Sequence, residues 1–210
     1  MESIHEEARD GLTIKIFQDE DAQNPITDWD DLVTVACFHP HYNLSNTDKF
    51  SSLDEAKAYA ESERAVVVPL YLYDHSGITI STGAFSCPWD SGLVGIAFIE
   101  RHKALHEWGK TRMTPHVRML AASYIEGTIK NFDDYLTGNV WGYVVEDEDG
   151  EDVDSCWGFL GDYDQTCGCL DEARSAADYH TRDRRNKHLA KVKAWIAHRV
   201  PLDCRQPCPV

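Results

Sequence analysis

The sequence predicts an α+β fold in which an antiparallel sheet, built from hairpins, packs against several helices. Three observations lead to this class. Short runs of β-branched and alternating residues follow one another closely, with polar or acidic turns that contain glycine between them. Two longer segments space their apolar residues as a helix does. Strands joined as hairpins, with helices grouped between them, favour α+β over a doubly wound parallel sheet.

The first half of the chain is predicted to be rich in strands. Residues 12–17 and 32–38 are expected to be strands because they combine β-branched residues with alternation. Ser52 and Glu55 form a capping-box pattern, which predicts a short helix with an acidic face. Further strands are predicted in AVVVPLYLY, GITIST and GLVGIAFIE, and Pro69 requires an edge or a bulge because proline cannot donate to the ladder.

The second half of the chain predicts two helical segments around a hairpin. Thr114 as N-cap and Pro115 in the first helical position predict the start of a long helix. An acidic turn with Gly150 joins the predicted strands VWGYVV and VDSCWGF. From about Leu170 to Arg199 the sequence predicts one long helix or two consecutive ones. Its expected packing stripe comprises Leu189, Val192, Trp195 and Ile196.

We expect a single α+β domain from residue 12 to residue 200, between a disordered tail of residues 1–11 and a flexible tail of residues 201–210. A chain of 210 residues with 42% hydrophobic content can bury one substantial core. No stretch reaches the roughly 18 continuous apolar residues that span a bilayer. The start of the chain is acidic, whereas an export signal is basic and then apolar. The sequence therefore predicts a cytoplasmic protein with no membrane partner.

The strongest global feature is the acidic charge. The formal net charge is −16, and the segment 131–172 contains thirteen Asp and Glu residues without a Lys or Arg. So many carboxylates cannot all be buried unpaired, and this segment must therefore present a negative surface. Such a surface repels nucleic-acid backbones and attracts basic proteins. Direct DNA binding is not expected.

The predicted binding surface consists of carboxylates in and near the second hairpin. Carboxylates that alternate along a strand lie about 6.6 Å apart on one face, which is close to the rise of two nucleotides at about 3.4 Å each. A surface of this kind can imitate nucleic acid. The alternative is a solvated face that keeps the protein soluble. The candidate partner-binding residues are Glu146, Asp147, Glu148, Asp149, Glu151, Asp152, Asp154, Asp133 and Asp134, with Asp28, Asp30 and Asp31 as further candidates.

A catalytic alternative centres on the segment YLYDHSGITISTGAFSCPWDSG. The segment contains the side-chain types of a nucleophilic site, namely Asp74, His75, Ser76 and Cys87. A thiol–imidazole pair of Cys87 and His75 forms if the hairpin folds back. Three consecutive turn residues point in different directions, however, whereas the side chains of a catalytic triad must converge. Turn chemistry, with Gly77 at positive φ, explains the segment more simply.

No cofactor is expected, although cysteine and histidine pairs leave a metal site as an alternative. Four cysteines near the end of the chain supply enough ligands for zinc, but without the two-residue gap of a zinc knuckle. They are Cys167, Cys169, Cys204 and Cys208. His102 and His106 have the i, i+4 spacing of helical ligands without identifiable companions. The odd total of seven cysteines and the lack of an export signal predict reduced thiols.

The strings YDHSG, FSCPWDSG, VVEDEDGE and SCWGF resemble those of an uncharacterised family of acidic proteins encoded by bacteriophages and other mobile elements. The resemblance covers roughly residues 12–178. It implies a genomic setting rather than an activity. Small acidic proteins from that setting are often inhibitors of host defence, including mimics of DNA that block restriction or CRISPR complexes.

Charge and resemblance together predict an inhibitor that acts by stoichiometric binding in the bacterial host cytoplasm, against a CRISPR or restriction system. The expected partner is a basic nucleic-acid-binding complex. One alternative is a hydrolase, or a thiol- or metal-dependent enzyme, centred on His75 and Cys87, and another is an acidic adaptor that recruits a basic host protein. The basic stretch from Arg182 to Lys193 has three candidate partners: the acidic face of the same chain, a second copy in a homodimer, or RNA.

Overall fold

The computed structural model describes residues 2–199, whose contacts divide into two compact units. Unit 1 contains the chain up to Gln18, Trp141–Trp157 and the chain from Gly168, and unit 2 contains Asp19–Val140 and Gly158–Cys167. The described residues form eight strands and four helices. In chain order these are β1 His5–Arg9, β2 Leu12–Gln18, β3 Thr34–Cys37, α1 Leu53–Ser62, β4 Val66–Asp74, β5 Ile78–Ser81, β6 Ser91–Ile99, α2 Arg101–Glu107, α3 Pro115–Leu136, β7 Val140–Glu146, β8 Asp152–Leu160 and α4 Cys169–Arg199.

The α+β class is confirmed, with two antiparallel sheets and helices packed on them. The predicted caps are present: the Ser52 side chain accepts a hydrogen bond from the Glu55 amide, and the Thr114 side chain accepts one from the Val117 amide. The contacts of the chain divide into two compact units. The chain leaves unit 1 after β2 and re-enters it at β7. The spacing of apolar residues along the sequence does not indicate this return.

Unit 2 is built on an antiparallel sheet with helices on both faces. Its strands lie in the order β3-β6-β4-β5. The residues Gly95–Ile99 of β6 are buried without interruption, as expected for a strand covered on two sides. One face packs against α3 through Val68, Leu70, Ile99, Ile125 and Ile129, and the other packs against α1 through Ile96, Phe98, Ala56 and Ala60.

The requirement that Pro69 imposes on β4 is met. β5 pairs only with Tyr71–Asp74 of β4, so the strand has β6 as its single neighbour at Pro69. A register shift follows immediately, between Leu70 and Tyr71. The missing amide donor of proline therefore leaves no ladder hydrogen bond unmade in the centre of the sheet.

Unit 1 consists of a second antiparallel sheet, with the strand order β1-β2-β7-β8, and helix α4. Alternation along β2 turns Ile14 and Ile16 to one face, where both are 0% exposed. The register places Val145 opposite Ile14. On α4 the buried positions include Ala173 and Ala177, which are also 0% exposed. Small side chains at these positions let the helix approach the sheet closely.

The structure corrects the predicted disordered tail of residues 1–11, which contains β1. This strand pairs antiparallel with β2 along its whole length. Asp10 and Gly11 form the connecting turn with φ values of 51° and 75°, the left-handed conformations of a tight hairpin. Glu7 and Arg9 of β1 have ion-pair partners on α4.

The predicted packing stripe on the C-terminal helix is wrong, although α4 is one continuous helix. The side chains of the stripe are exposed, at 43% for Leu189, 37% for Val192, 54% for Trp195 and 37% for Ile196. The buried residues of α4 all lie between Cys169 and Ala177, and every residue from Arg184 to Arg199 is exposed. None of the helices within residues 2–199 is both long and apolar enough to cross a membrane.

On the face of the unit 1 sheet opposite the buried residues of β2, an aromatic ring covers a glycine. Trp157 stacks on Phe17 with ring centroids 6.1 Å apart, and its ring lies directly over Gly142. A Cβ atom at Gly142 would overlap the Trp157 ring. The sequence at this position therefore has to be glycine for the ring to lie flat on the strand.

We predict that Gly142→Ala lowers the free energy of unfolding by about 1–3 kcal/mol, because the Trp157 ring must be displaced to make room for the methyl group. Urea titration followed by tryptophan fluorescence measures the change. Gly92→Ala is the matched control, since Gly92 also lies in a strand and an added Cβ there meets no atom within 4 Å. Equal stability of the two variants would contradict the overlap.

Candidate functional site

The hairpin between β7 and β8 carries the densest group of carboxylates, and one of them shapes the turn. Asp147 Oδ1 accepts hydrogen bonds from the amides of Asp149 at 3.0 Å and Glu151 at 3.1 Å. The Asp147 amide donates to the Glu151 carbonyl at 2.9 Å, and Gly150 takes a φ of 80°. The turn is thus held by its own side chain and backbone.

Two more carboxylates of this hairpin are bound within unit 1. Both Oε atoms of Glu146 lie 2.7 Å from Nζ of Lys15 on β2. This hydrogen bond raises the pKa of Lys15; burial opposes the shift, and the charge of Asp152 adds to it. Asp154 Oδ2 lies 2.9 Å from Nε2 of His180 on α4. Three of the seven predicted hairpin carboxylates therefore have structural partners.

The other four carboxylates of the hairpin face solvent, and we call them the acidic turn: Glu148, Asp149, Glu151 and Asp152. Within residues 2–199 none of these four side chains forms an ion pair. Apart from the attraction between Asp152 and Lys15, their charges add to the negative field around unit 1. The acidic turn is the part of the predicted surface that is free to bind a basic partner.

Asp133 and Asp134 belong to unit 2 and make contacts within it. Asp133 Oδ1 accepts a hydrogen bond from the Ile80 amide at 2.8 Å, and burial raises the pKa of this carboxyl. Asp134 is 7% exposed, and its Oδ2 lies 2.6 Å from Nζ of Lys130. The two side chains stabilise the end of α3 and strand β5.

The three further acidic candidates lie on the loop before β3. Asp28 accepts a hydrogen bond from the Asn24 amide at 2.9 Å, and Asp31 accepts one from the Val33 amide at 2.9 Å. Asp30 is exposed and lines a polar cleft. Two of the three thus shape their own loop.

The polar cleft in unit 2 has a volume of about 460 Å³, and sequence reasoning did not indicate it. Trp29, which is 40% exposed, forms part of its wall. Several of its polar side chains already bind backbone: Asn46 accepts from the Val35 amide at 2.8 Å, and Ser45 accepts from the Cys37 amide at 2.8 Å. These bonds satisfy the outer edge of β3, which explains the polar lining structurally.

Helix α4 is fastened to β1 by two ion pairs. Nη2 of Arg174 lies 2.7 Å from Oε2 of Glu7, and Nε of Arg9 lies 2.6 Å from Oδ1 of Asp178. The hydrogen bond from Arg174 lowers the pKa of Glu7, although burial opposes this shift, and the hydrogen bond from Arg9 lowers the pKa of Asp178. All four side chains are partly exposed, so the pairs fix the direction of the helix more than they stabilise it.

The residues of the catalytic alternative do not form a thiol–imidazole pair. His75 Nδ1 lies 3.5 Å from Asp90 Oδ2, and the Cys87 thiol lies 3.7 Å from the same oxygen. A carboxylate that sequence reasoning missed thus lies between thiol and ring. Asp74 instead accepts a hydrogen bond from the Tyr42 hydroxyl at 3.1 Å. The His75 side chain is 64% exposed, which is not the enclosed setting that activates a nucleophile.

Gly77 has the predicted positive φ, at 157°, and Ser76 before it also takes a positive φ, at 60°. The His75 amide donates to the Gly77 carbonyl at 3.1 Å. The segment folds as a hairpin turn, as its composition of turn residues indicates.

Within residues 2–199 no group of three or more His, Cys, Asp or Glu side chains is placed to hold a metal ion. Cys169 is buried and Cys167 is partly buried, and Cys204 and Cys208 lie outside the described residues. Cys156 is exposed.

Comparison with known proteins found no match among protein-family models, curated proteins or solved structures. The resemblance to phage proteins stays a prediction. The geometry and charge of the acidic turn therefore carry the functional interpretation.

The two ion pairs between β1 and α4 predict a loss of stability in acid. Because the pKa values of Glu7 and Asp178 are lowered in the folded state, their contribution to stability is present above the usual carboxyl pKa of about 4 and is lost as the pH falls through the lowered values. We expect Glu7→Gln/Asp178→Asn to be less stable at pH 7 and to lose less stability between pH 7 and acid than the wild type.

Urea titration of the full chain at a series of pH values measures this difference. The matched control is Asp149→Asn/Glu151→Gln, which removes two exposed carboxylates that have no ion pairs among residues 2–199. We expect this control to keep the pH dependence of the wild type. If the ion-pair variant and the wild type lose stability in parallel as the pH falls, the two pairs do not hold the helix.

Proposed function

We propose that the protein acts by stoichiometric binding rather than by catalysis. In this proposal the acidic turn binds a basic, nucleic-acid-handling protein of a bacterial host and thereby inhibits a defence system of the CRISPR or restriction type. The observation that carries the proposal is the acidic turn itself: four exposed carboxylates on one hairpin, none of which forms an ion pair within the described chain.

The shape of the hairpin supports binding over simple solvation. The hydrogen bonds of Asp147 to the amides of Asp149 and Glu151 fix the backbone that bears the four carboxylates. A surface that is already ordered loses less conformational freedom when a partner binds. Solvation alone would require charge but not a fixed arrangement of it.

Electrostatics supports a basic partner. The net charge of −16 and the acidic turn together generate a negative field that accelerates encounters with positively charged surfaces and opposes encounters with nucleic acid. The surface of a protein that binds nucleic acid carries the complementary charge. The four exposed carboxylates of the acidic turn lie within five residues and give a surface of the same sign as the nucleic acid that such a protein binds.

The enzyme alternative has less support. His75 and Cys87 both approach Asp90 instead of each other, and both lie outside the clefts lined by Thr79–Thr82, by the loop before β3, and by the segment around Phe38. A nucleophile requires a base in direct contact and a pocket for substrate. In the adaptor alternative the same acidic surface binds a basic host protein, but it recruits that protein instead of inhibiting it.

We predict that neutralising the acidic turn weakens partner binding by about tenfold or more at low salt, since exposed ion pairs contribute about 0.2–1 kcal/mol each. The variant is Glu148→Gln/Asp149→Asn/Glu151→Gln/Asp152→Asn. It leaves Glu146 and Asp147 intact, because they hold Lys15 and the turn backbone. Immobilised wild type and variant are compared for proteins captured from a bacterial lysate, with identification by mass spectrometry.

The matched control is Glu20→Gln/Asp21→Asn/Asp54→Asn/Glu61→Gln, which removes the same charge from four exposed positions in unit 2. We expect the control to capture the wild-type set of proteins, and we expect an added oligonucleotide to displace them. Equal capture by the turn variant and the wild type, or capture that is insensitive to the oligonucleotide, would contradict the proposal.

A further inference from the structure

The last five turns of α4 form a basic, amphipathic surface that nothing in the described chain covers. Residues 182–199, which we call the basic end, contain seven Lys and Arg residues and one Asp, for a net charge of +6. Leu189, Val192 and Ile196 lie on one side at i, i+3 and i+7 and are 37–43% exposed. Trp195 beside them is 54% exposed.

A helix in this state lacks the interaction that normally stabilises helices in proteins. Most helical stability in proteins comes from packing an apolar face, and the apolar side chains of the basic end are exposed. The local contacts are few: Lys187 pairs with Asp183 at 2.7 Å, and Arg199 lies over the Trp195 ring at 5.4 Å. The apolar side chains of the basic end therefore favour a covering surface, and its charge requires that surface to be acidic.

The contacts between α4 and β1 show where the basic end emerges. Along α4 the order Arg174, Asp178 matches the order Glu7, Arg9 along β1, so the helix and this strand run in the same direction. β1 ends at the turn of Asp10 and Gly11.

That turn lies next to the acidic turn. Gly11 lies against the Glu148 carboxylate, and Thr13 pairs with Glu146, the last residue of β7. The basic end therefore leaves the sheet of unit 1 at the edge where the acidic turn lies. At 1.5 Å per residue its 18 residues continue for about 27 Å.

We propose that the basic end binds the acidic turn of a second copy of the chain, and that the second copy returns the same contact. A two-fold axis places a surface against the same surface of its partner. Because positive and negative elements emerge at one end of unit 1, this rotation brings each basic end to the other copy's acidic turn. The dimer requires no host partner, but a host protein that binds the acidic turn would displace the second copy's basic end from it.

Other occupants of the basic end fit its charge less well. Two basic ends packed on each other would place +6 against +6. A nucleic acid or an anionic membrane that approaches the basic end meets the field of the neighbouring acidic turn, which repels it. The acidic turn of a second copy is also repelled by the first copy's acidic turn. The basic end of the second copy, however, is attracted to that turn and offsets the repulsion.

A charge-exchange experiment on the full chain tests the reciprocal contact. Variant H carries Arg184→Glu/Arg185→Glu/Lys191→Glu/Lys193→Glu, and variant T carries Glu148→Lys/Asp149→Lys/Glu151→Lys/Asp152→Lys. All eight positions are exposed, and circular dichroism verifies the fold. Sedimentation equilibrium measures the mass of wild type, H, T and an equimolar mixture of H and T at about 0.05 M and about 0.5 M salt.

We expect the wild type at low salt to have twice the chain mass of 23.8 kDa and to dissociate at high salt. H and T alone are expected to be monomers, because each presents surfaces of one sign. Their mixture is expected to form the dimer. In H both the helix and the turn are acidic, and in T both are basic, so each surface of H meets a surface of opposite sign on T.

A monomeric wild type at low salt would overturn the proposal, as would a mixture of H and T that stays monomeric. Binding of the wild type, but not of H, to single-stranded oligonucleotides or to vesicles rich in anionic lipid would assign the basic end to another partner. Failure here is distinguishable from failure of the proposed function, because H keeps the acidic turn and is expected to capture the basic host protein undiminished.

Discussion

The packing of α4 on the sheet of unit 1 is the interaction on which the charged surfaces of that unit depend. Ile14, Ile16 and Val145 on the sheet are fully buried, as are the small residues Ala173 and Ala177 of α4, which contacts β2. The ion pairs from Glu7 and Arg9 then fix the direction of the helix. With this direction, the basic end of α4 leaves the sheet beside the acidic turn. The opposite direction would separate the two charges by the length of the sheet.

The acidic residues divide into those that hold the fold and those that remain available for binding. Glu146, Asp147 and Asp154 each have a cation, a histidine or backbone amides as partners. These carboxylates stabilise the folded state and are therefore not available to bind a ligand. The four residues of the acidic turn have no such partner among residues 2–199, and their repulsion is a cost that a basic partner relieves.

Local signals allowed much of the fold to be predicted from the sequence. The caps Ser52 and Thr114 act on amides three residues away, and hairpin turns act within a few residues, so short stretches determine them. β1 was missed although Asp10 and Gly11 are a strong hairpin signal, because its charged side chains find their partners about 170 residues later, on α4.

Most of the features that could not be predicted depend on parts of the chain that are distant in sequence. The stripe of Leu189, Val192 and Ile196 has helical spacing, but periodicity does not show whether a surface is present to cover it. In the same way, composition located the acidic segment, yet only the structure shows that Glu146 is bound by Lys15, 131 residues away. Asp90, which separates His75 from Cys87, was missed because nothing in its spacing marks it as a neighbour of both.

The central claim is that the acidic turn binds a basic partner through its charge. The most direct test is the dissociation constant of the captured partner, measured across a salt series for the wild type and for the variant with all four carboxylates neutralised. The screening length falls from about 10 Å at 0.1 M salt to about 3 Å at 1 M. The wild type is predicted to lose affinity steeply over this range, and the variant is predicted to be weaker at low salt and nearly independent of salt. Parallel salt dependences for the two proteins would contradict the account.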